Sequence, residues 1–210
     1  MKKKILKPKK TTSRAKKVTK KIKTIHVIAL VDETGSMQST KSETILALNA
    51  WFKKIHADSV KHKTPGTFTV TKFNSFKTET LVFEKPLTDA DVLTPENYQP
   101  QHMTPLYDAI GNEIKATKSD ADRVLFTIIT DGAENYSKKF TREQVFNLID
   151  KKKKKGWQFE FLGANQDSYL TGTVALGTQV AYDYKPHELG KGMTTCYTLT
   201  SGAYLFSEPK

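Results

Sequence analysis

Two apolar, β-branched-rich runs, Thr24–Val31 (TIHVIALV) and Arg123–Thr130 (RVLFTIIT), each lead directly into an aspartate, Asp32 and Asp131. Continuous apolar character over such a length predicts strands buried on both faces. Trp157–Leu162 and Gln179–Tyr184 predict two more strands, and Thr67–Asn74 with Thr78–Phe83 a pair joined by a short turn. Helical patterns lie between them. Ile45, Leu48, Phe52 and Ile55 make one apolar stripe along Lys41–Ala57. Pro105–Lys118 predicts a helix with proline in its first turn, where the missing N–H costs nothing. Thr141 and Gln144 stand at capping-box spacing ahead of Val145, Phe146 and Ile149, so a helix is predicted there, running into Lys151–Lys155 and stopping at Gly156. Asn165–Leu176 predicts a further helix. Lys85–Met103 reads as a proline-bearing linker, and beyond Lys185 the pattern assigns no element. Trp51, Phe52, Phe146 and Phe161 fall at apolar positions and read as core. Alternating strands and helices predict an α/β fold: a doubly wound, mainly parallel central sheet flanked by helices, with one antiparallel edge strand.

Charge divides the chain. The sequence has 210 residues, 34 Lys+Arg, 22 Asp+Glu and a net charge of +12. Residues 1–23 carry twelve of the basic residues and no acid, so the remaining 22 bases balance the 22 acids of the body. The expected organisation is a basic, disordered arm (1–23), a domain (24–185) and a C-terminal extension packed on it (186–210). No stretch approaches the ~20 apolar residues of a membrane span. The single cysteine, Cys196, excludes a disulfide framework and a thiolate metal cluster and reads as a structural thiol; a reducing cytoplasm is the expected location.

The chemistry concentrates where the two strands end. In open α/β sheets, ligands bind beyond the carboxyl ends of the strands, where strand order reverses. The first strand continues Asp32-Glu33-Thr34-Gly35-Ser36. In an extended loop, Asp32, Thr34 and Ser36 face one way, and Gly35 permits a tight turn. One carboxylate and two hydroxyls form part of a hard-cation site, suited to Mg²⁺ or Mn²⁺.

These residues resemble the von Willebrand factor A domain and its metal-ion-dependent adhesion site. That site's Asp-x-Ser-x-Ser element is matched by Asp32-x-Thr34-x-Ser36, its lone Thr by Thr104 in MTPLYDAI, and its later Asp by Asp131 in ITDG. The resemblance spans about residues 24–185. It is nearest to small stand-alone bacterial and phage members, in which TDGxENxS (here Asp131 to Ser137) and FLGANQD (Phe161 to Asp167) recur. It implies a metal site of Asp32, Thr34, Ser36, Thr104 and Asp131 holding Mg²⁺ or Mn²⁺, with an Asp or Glu of a protein partner completing the coordination. Where relatives carry Gly two positions before the lone Thr, this chain has His102, whose side chain would restrict the turn, crowd the ion or add a partner contact; an exposed loop histidine is the simplest reading. Glu33 reads as a solvent-facing loop acid, Asp108 as a first-turn acid favoured by the helix dipole. Asn135 and Ser137 either orient Asp131 or shape the following turn, and Asn165 and Asp167 read as caps of the next helix.

Enzyme classes fit less well. A haloacid-dehalogenase-type phosphatase needs Asp-x-Asp, and position 34 is Thr; GxGxxG after a strand, GxxxxGK[ST] and GxSxG are absent from the sequence. The expected function is therefore a metal-dependent protein-interaction module rather than an enzyme. Its arm, residues 1–23, would bind nucleic acid or another polyanion without sequence preference. Lys151–Lys155 reads as a solvated helix end, with an extension of that polyanion surface as the second reading. The alternatives are a Mg²⁺-dependent phosphohydrolase, and an arm-driven nucleic-acid binder whose domain is scaffold.

Overall fold

The computed structural model describes residues 22–164, 167–185 and 187–207. Six strands form one sheet: β1 (Ile25–Asp32), β2 (Gly66–Phe73), β3 (Thr78–Pro86), β4 (Arg123–Thr130), β5 (Gln158–Ala164) and β6 (Val180–Tyr184). Their order is β3-β2-β1-β4-β5-β6, with every pair parallel except β2 with the edge strand β3. The expected mainly parallel sheet with one antiparallel edge is thus what the chain forms. Strand order reverses between β1 and β4, so the crevice at a doubly wound sheet's switch point opens between the two strands that lead into Asp32 and Asp131.

Alternation along β1 divides the core. Ile25, Val27, Ala29 and Val31 face α1 (Lys41–His62) and the C-terminal helices α4 (Leu189–Cys196) and α5 (Gly202–Phe206). Ile28 and Leu30 face α2 (Leu106–Ala116) and α3 (Arg142–Lys153). Helix α1 buries Leu48, Phe52 and Ile55 and continues past the predicted Ala57 to His62, where Lys63 takes a left-handed φ of 52° just ahead of Pro65. The predicted capping box of α3 is present, Thr141 and Gln144 each bonding the other's backbone N–H. The predicted helix over 165–176 forms as a shorter π-type segment, Tyr169–Leu176; Asp167 Oδ1 accepts from the Leu170 N–H at 2.9 Å, and Asn165 lies outside the described residues.

Three features escape the apolar pattern. Phe146 is 40% exposed, whereas Trp51, Phe52 and Phe161 are buried. Its neighbour Val145 takes the inward position on α3, leaving the Phe146 ring against the turn at Gly177, where a Cβ would come within 2.9 Å of it. Ile22, inside the predicted arm, packs in the core, and so do Leu189, Met193, Cys196, Tyr197 and Leu205 of the C-terminal region. Burial pushes the Cys196 thiol up to about 12, as expected of a structural cysteine. Residues 1–21, most of the arm, lie outside the described residues.

Glu33 is a correction: it is 1% exposed, not solvent-facing. Backbone pairing of Glu33 N–H to Phe73 C=O (2.8 Å) sets the residue beside the end of β2, where its Oε1 meets the equally buried Lys72 Nζ at 2.8 Å. The same Oε1 accepts the Gln99 N–H (2.6 Å), and Lys72 also donates to the Asn97 carbonyl. This ion pair fastens the segment leading to Thr104 onto the sheet. Asn49 of α1 holds the earlier part of that segment, donating to Leu93 C=O and accepting from Val92 and Leu93 N–H.

Two predictions follow from buried polar groups. Lys72→Met leaves the Glu33 carboxylate buried without its cation and should lower stability by about 3–5 kcal/mol in urea unfolding; an unchanged midpoint would contradict the pairing. His26 is fully buried beside Thr67 Oγ1 (2.7 Å), and burial lowers its pKa from 6.5 to about 4. Between those values the unfolded chain binds a proton that the folded chain refuses, so falling pH favours unfolding through this group. Buried acids such as Glu113 and Glu160, whose pKa values burial raises, act in the opposite direction, so the test is a difference. On going from pH 7 to pH 4.5, His26→Gln should lose roughly 2 kcal/mol less stability than the wild type. Equal acid-induced losses would show that His26 is not the group responsible.

Candidate metal centre

Register carries the two carboxylates together. β1 and β4 are neighbouring parallel strands with Val31 opposite Ile129, so the residues just beyond emerge side by side. Buried tyrosines brace both strand ends: Tyr98 donates to the Asp32 carbonyl at 2.6 Å, Tyr184 to the Thr130 carbonyl at 3.3 Å. Asp32 is itself held rigidly, with Oδ1 accepting the Thr34 N–H (2.7 Å) and Oδ2 the Thr130 hydroxyl (2.6 Å).

The hydroxyls gather on the same point. After Thr34 the chain does not stay extended but winds into a short 3₁₀ helix, Gly35–Thr40. Thr34 Oγ1 and Ser36 Oγ are 3.3 Å apart, and Ser36 donates to Asp131 Oδ1 at 2.5 Å. Thr104 Oγ1 donates to Thr34 Oγ1 at 3.1 Å. All five predicted residues therefore meet in one hydrogen-bonded cluster drawn from three loops. Gly132 forms its wall: a Cβ there would stand 3.1 Å from Thr104 Oγ1, 3.2 Å from Ser36 Oγ and 3.8 Å from Asp32 Oδ2. A side chain at 132 would fill the hollow onto which these oxygens converge.

The electrostatics of the hollow are unfavourable to bare carboxylates. Burial raises the Asp32 pKa from 3.8 to about 6, against hydrogen bonds from Thr130 and Thr34 that lower it; burial also raises that of Asp131. A cation among these oxygens would offset that cost. Among the described residues no three His, Cys, Asp or Glu side chains cluster as a metal site, so the donor set here is distinguished by its hydroxyls.

Several supports were not legible beforehand. Thr130 is one; its only sequence signal is a hydroxyl closing an apolar strand. Asn135 and Ser137 bond elsewhere than Asp131. Asn135 clasps Thr104, accepting its N–H at 2.8 Å and donating its own N–H to the Thr104 carbonyl at 3.1 Å. Ser137 Oγ accepts the Asp108 N–H at 3.0 Å and donates to Glu134. Glu134 spans the start of α2 and its own loop through the N–H groups of Tyr107, Tyr136 and Ser137. Asp108 accepts the N–H groups of Lys138, Lys139 and Phe140, so it is a loop anchor. His102 is exposed and adopts φ 72°, the left-handed conformation that explains a preference for Gly there; its carbonyl receives the Gly35 N–H at 3.0 Å.

In the Lys151–Lys155 run, Lys152 lies over the Trp157 ring (3.9 Å), Lys153 donates to Gly177 C=O (2.8 Å) and Lys154 pairs with Asp150 (2.6 Å). Lys152 and Lys153 thus tie the end of α3 to its neighbours, while Lys151, Lys154 and Lys155 are exposed, as expected of a solvated helix end. Among the described residues no helix is long and apolar enough to cross a membrane.

No family model matches the chain, and no curated protein matches it by sequence. Solved structures do match by shape. Proximal thread matrix protein 1 from the mussel byssus, in a structure with a zinc-occupied MIDAS motif, aligns over 87% of this chain and 47% of its own, at 15% identity and TM-score 0.58. The chain thus spans about half the length of that protein. The vWF domain of the type V pili tip protein Mfa5 from Porphyromonas gingivalis aligns over 90% of this chain and 99% of its own, at 8% identity and TM-score 0.65. The SpRpn10 VWA domain covers 80% and 93%, at 10% identity and TM-score 0.51. Together with the strand order and the reversal between β1 and β4, these likenesses show that the chain has the von Willebrand factor A fold.

Proposed function

We propose that this protein is a metal-dependent protein-interaction module that holds Mg²⁺ or Mn²⁺ through Asp32, Thr34, Ser36, Thr104 and Asp131. The observation that carries the reading is the convergence of these five side chains on the hollow beside Gly132. The zinc-occupied site of the mussel protein supports a divalent ion at this place in the fold. The all-oxygen donor set here favours hard cations.

The chain's own groups account for how such a site works. Two carboxylates balance a doubly charged ion, and three neutral hydroxyls add donors without adding charge. Thr130, Tyr98 and Asn135 fix the donors before any partner arrives, which limits the ordering cost of binding. A bound ion would supply an electrophilic centre to which a partner's Asp or Glu contributes its oxygen. The polyanion reading of the arm rests on its charge pattern. A phosphohydrolase of the haloacid-dehalogenase type would need a general acid at position 34, where this chain has a threonine hydroxyl.

The test combines metal-dependent melting with partner capture. Mg²⁺ at about 100 times its dissociation constant should stabilise the wild type by ~2.7 kcal/mol. EDTA should remove that gain, and the double variant Asp32→Asn with Asp131→Asn should melt at the same temperature with or without Mg²⁺. Thr104→Ala should weaken the Mg²⁺ response while the metal-free melting point changes little. Turnover of p-nitrophenyl phosphate by wild type but not by the double variant would instead establish the hydrolase.

A further inference from the structure

Beside the segment that carries Thr104 lies a cleft of about 350 Å³, walled by the β2–β3 turn, the start of α2 and the loop that follows Asp131. One wall is the turn between β2 and β3. Asn74 Oδ1 shapes it by accepting the Phe76 and Lys77 N–H groups, at 2.9 and 3.0 Å. Two bonds staple this turn to the residue preceding Thr104: Ser75 N–H to Met103 C=O at 2.9 Å, and Met103 N–H to Ser75 Oγ at 3.2 Å. The turn presents Phe76, 78% exposed, with the His102 ring stacked on it at 5.7 Å and Met103 exposed next to it. A large aromatic ring held in water by a stapled turn is a costly feature on a free surface and a suitable anchor for a partner.

The opposite wall is the 134–139 loop, whose exposed end carries two adjacent ammonium groups, Lys138 and Lys139. Glu134 of this loop and Asp108 of α2 each accept three backbone N–H groups, which hold both carboxylates against the backbone and away from the lysine ammonium groups. Lys138 and Lys139 are exposed and make no ion pair among the described residues. The Lys138 ammonium sits over the Tyr136 ring, 4.4 Å from its centroid. The cleft therefore joins an apolar ledge to a wall that offers two exposed ammonium groups, and both are bonded to the segment that carries Thr104.

We propose that this cleft is the second half of the partner surface and takes an acidic linear segment of a protein. One carboxylate of that segment would reach the metal centre, a second would face Lys138 and Lys139, and an apolar side chain would rest on Phe76. The inference rests on the interaction-module reading above and adds the chemistry of the partner. A protein segment fits better than nucleic acid because two unpaired ammonium groups are too few to track a phosphate backbone, whereas they suffice for one carboxylate.

The experiment uses the full chain and three labelled probes: a twelve-residue peptide of repeated Asp-Leu-Glu, its Asn-Leu-Gln counterpart, and a twelve-nucleotide oligothymidylate. Binding is read by fluorescence anisotropy in Mg²⁺ and in EDTA, and Mg²⁺ uptake by calorimetry. The wild type should bind the acidic peptide more tightly in Mg²⁺ than in EDTA, where the basic arm of residues 1–23 remains to attract it. The double variant Lys138→Glu with Lys139→Glu, and separately Phe76→Ser, should each weaken that binding about tenfold while taking up Mg²⁺ as the wild type does. Unchanged peptide affinity in both variants, with Mg²⁺ uptake intact, would overturn the cleft and leave the metal centre standing. Failure of the wild type to take up Mg²⁺ would instead remove the metal reading itself. Oligothymidylate binding that falls in the same variants, without peptide binding, would overturn the proposal in favour of nucleic acid.

Discussion

Two carboxylates buried side by side at the ends of adjacent parallel strands are the constraint on which the rest of this structure depends. Carboxylates withdrawn from water lose hydration and, to a lesser degree, repel each other, and the Asp32 pKa of about 6 expresses that cost. The surroundings offset it with neutral donors: Thr130 and the Thr34 N–H on Asp32, and Ser36 on Asp131. A divalent cation is the natural complement, because it cancels both charges in one place and uses the oxygens that these bonds aim.

Around that centre the fold acts as a rigid frame. The β1–β4 pairing sets the spacing of the aspartates, and two buried tyrosines hold the strand ends from below. Thr104 arrives from a loop with no strand of its own, so it needs separate fixings. The Lys72–Glu33 pair anchors the segment before it, Asn135 clasps its backbone, and Ser75 staples the preceding residue. A site assembled from three loops keeps its geometry only because each loop is bonded to another. The same fixings that position the hydroxyls also shape the flanking cleft.

The strands and the two aspartates could be read from the chain because uninterrupted apolar runs announce buried strands, and each run led straight into a carboxylate. The α3 capping box was equally plain, since its partners are three residues apart. Thr104 emerged only from likeness to a family, because a lone threonine in a polar loop carries no local signal. Glu33 was misjudged: its burial depends on Lys72, 39 residues away, which only the β1–β2 register brings close. Phe146 was misjudged because helical periodicity marks a face, and the width of the covered face is decided by the neighbouring elements. Thr130 and Glu134 act across the sheet and between loops, relations that a linear pattern does not display.

Titration of Mn²⁺ into the full chain, followed by electron paramagnetic resonance, addresses the central claim most directly. The account predicts that the free-ion signal stays suppressed until one equivalent is bound, that Mg²⁺ displaces the bound ion, and that replacing Asp131 with alanine abolishes the suppression. A free-ion signal that rises in proportion to added Mn²⁺ from the first addition, identical with and without the aspartate, would contradict it.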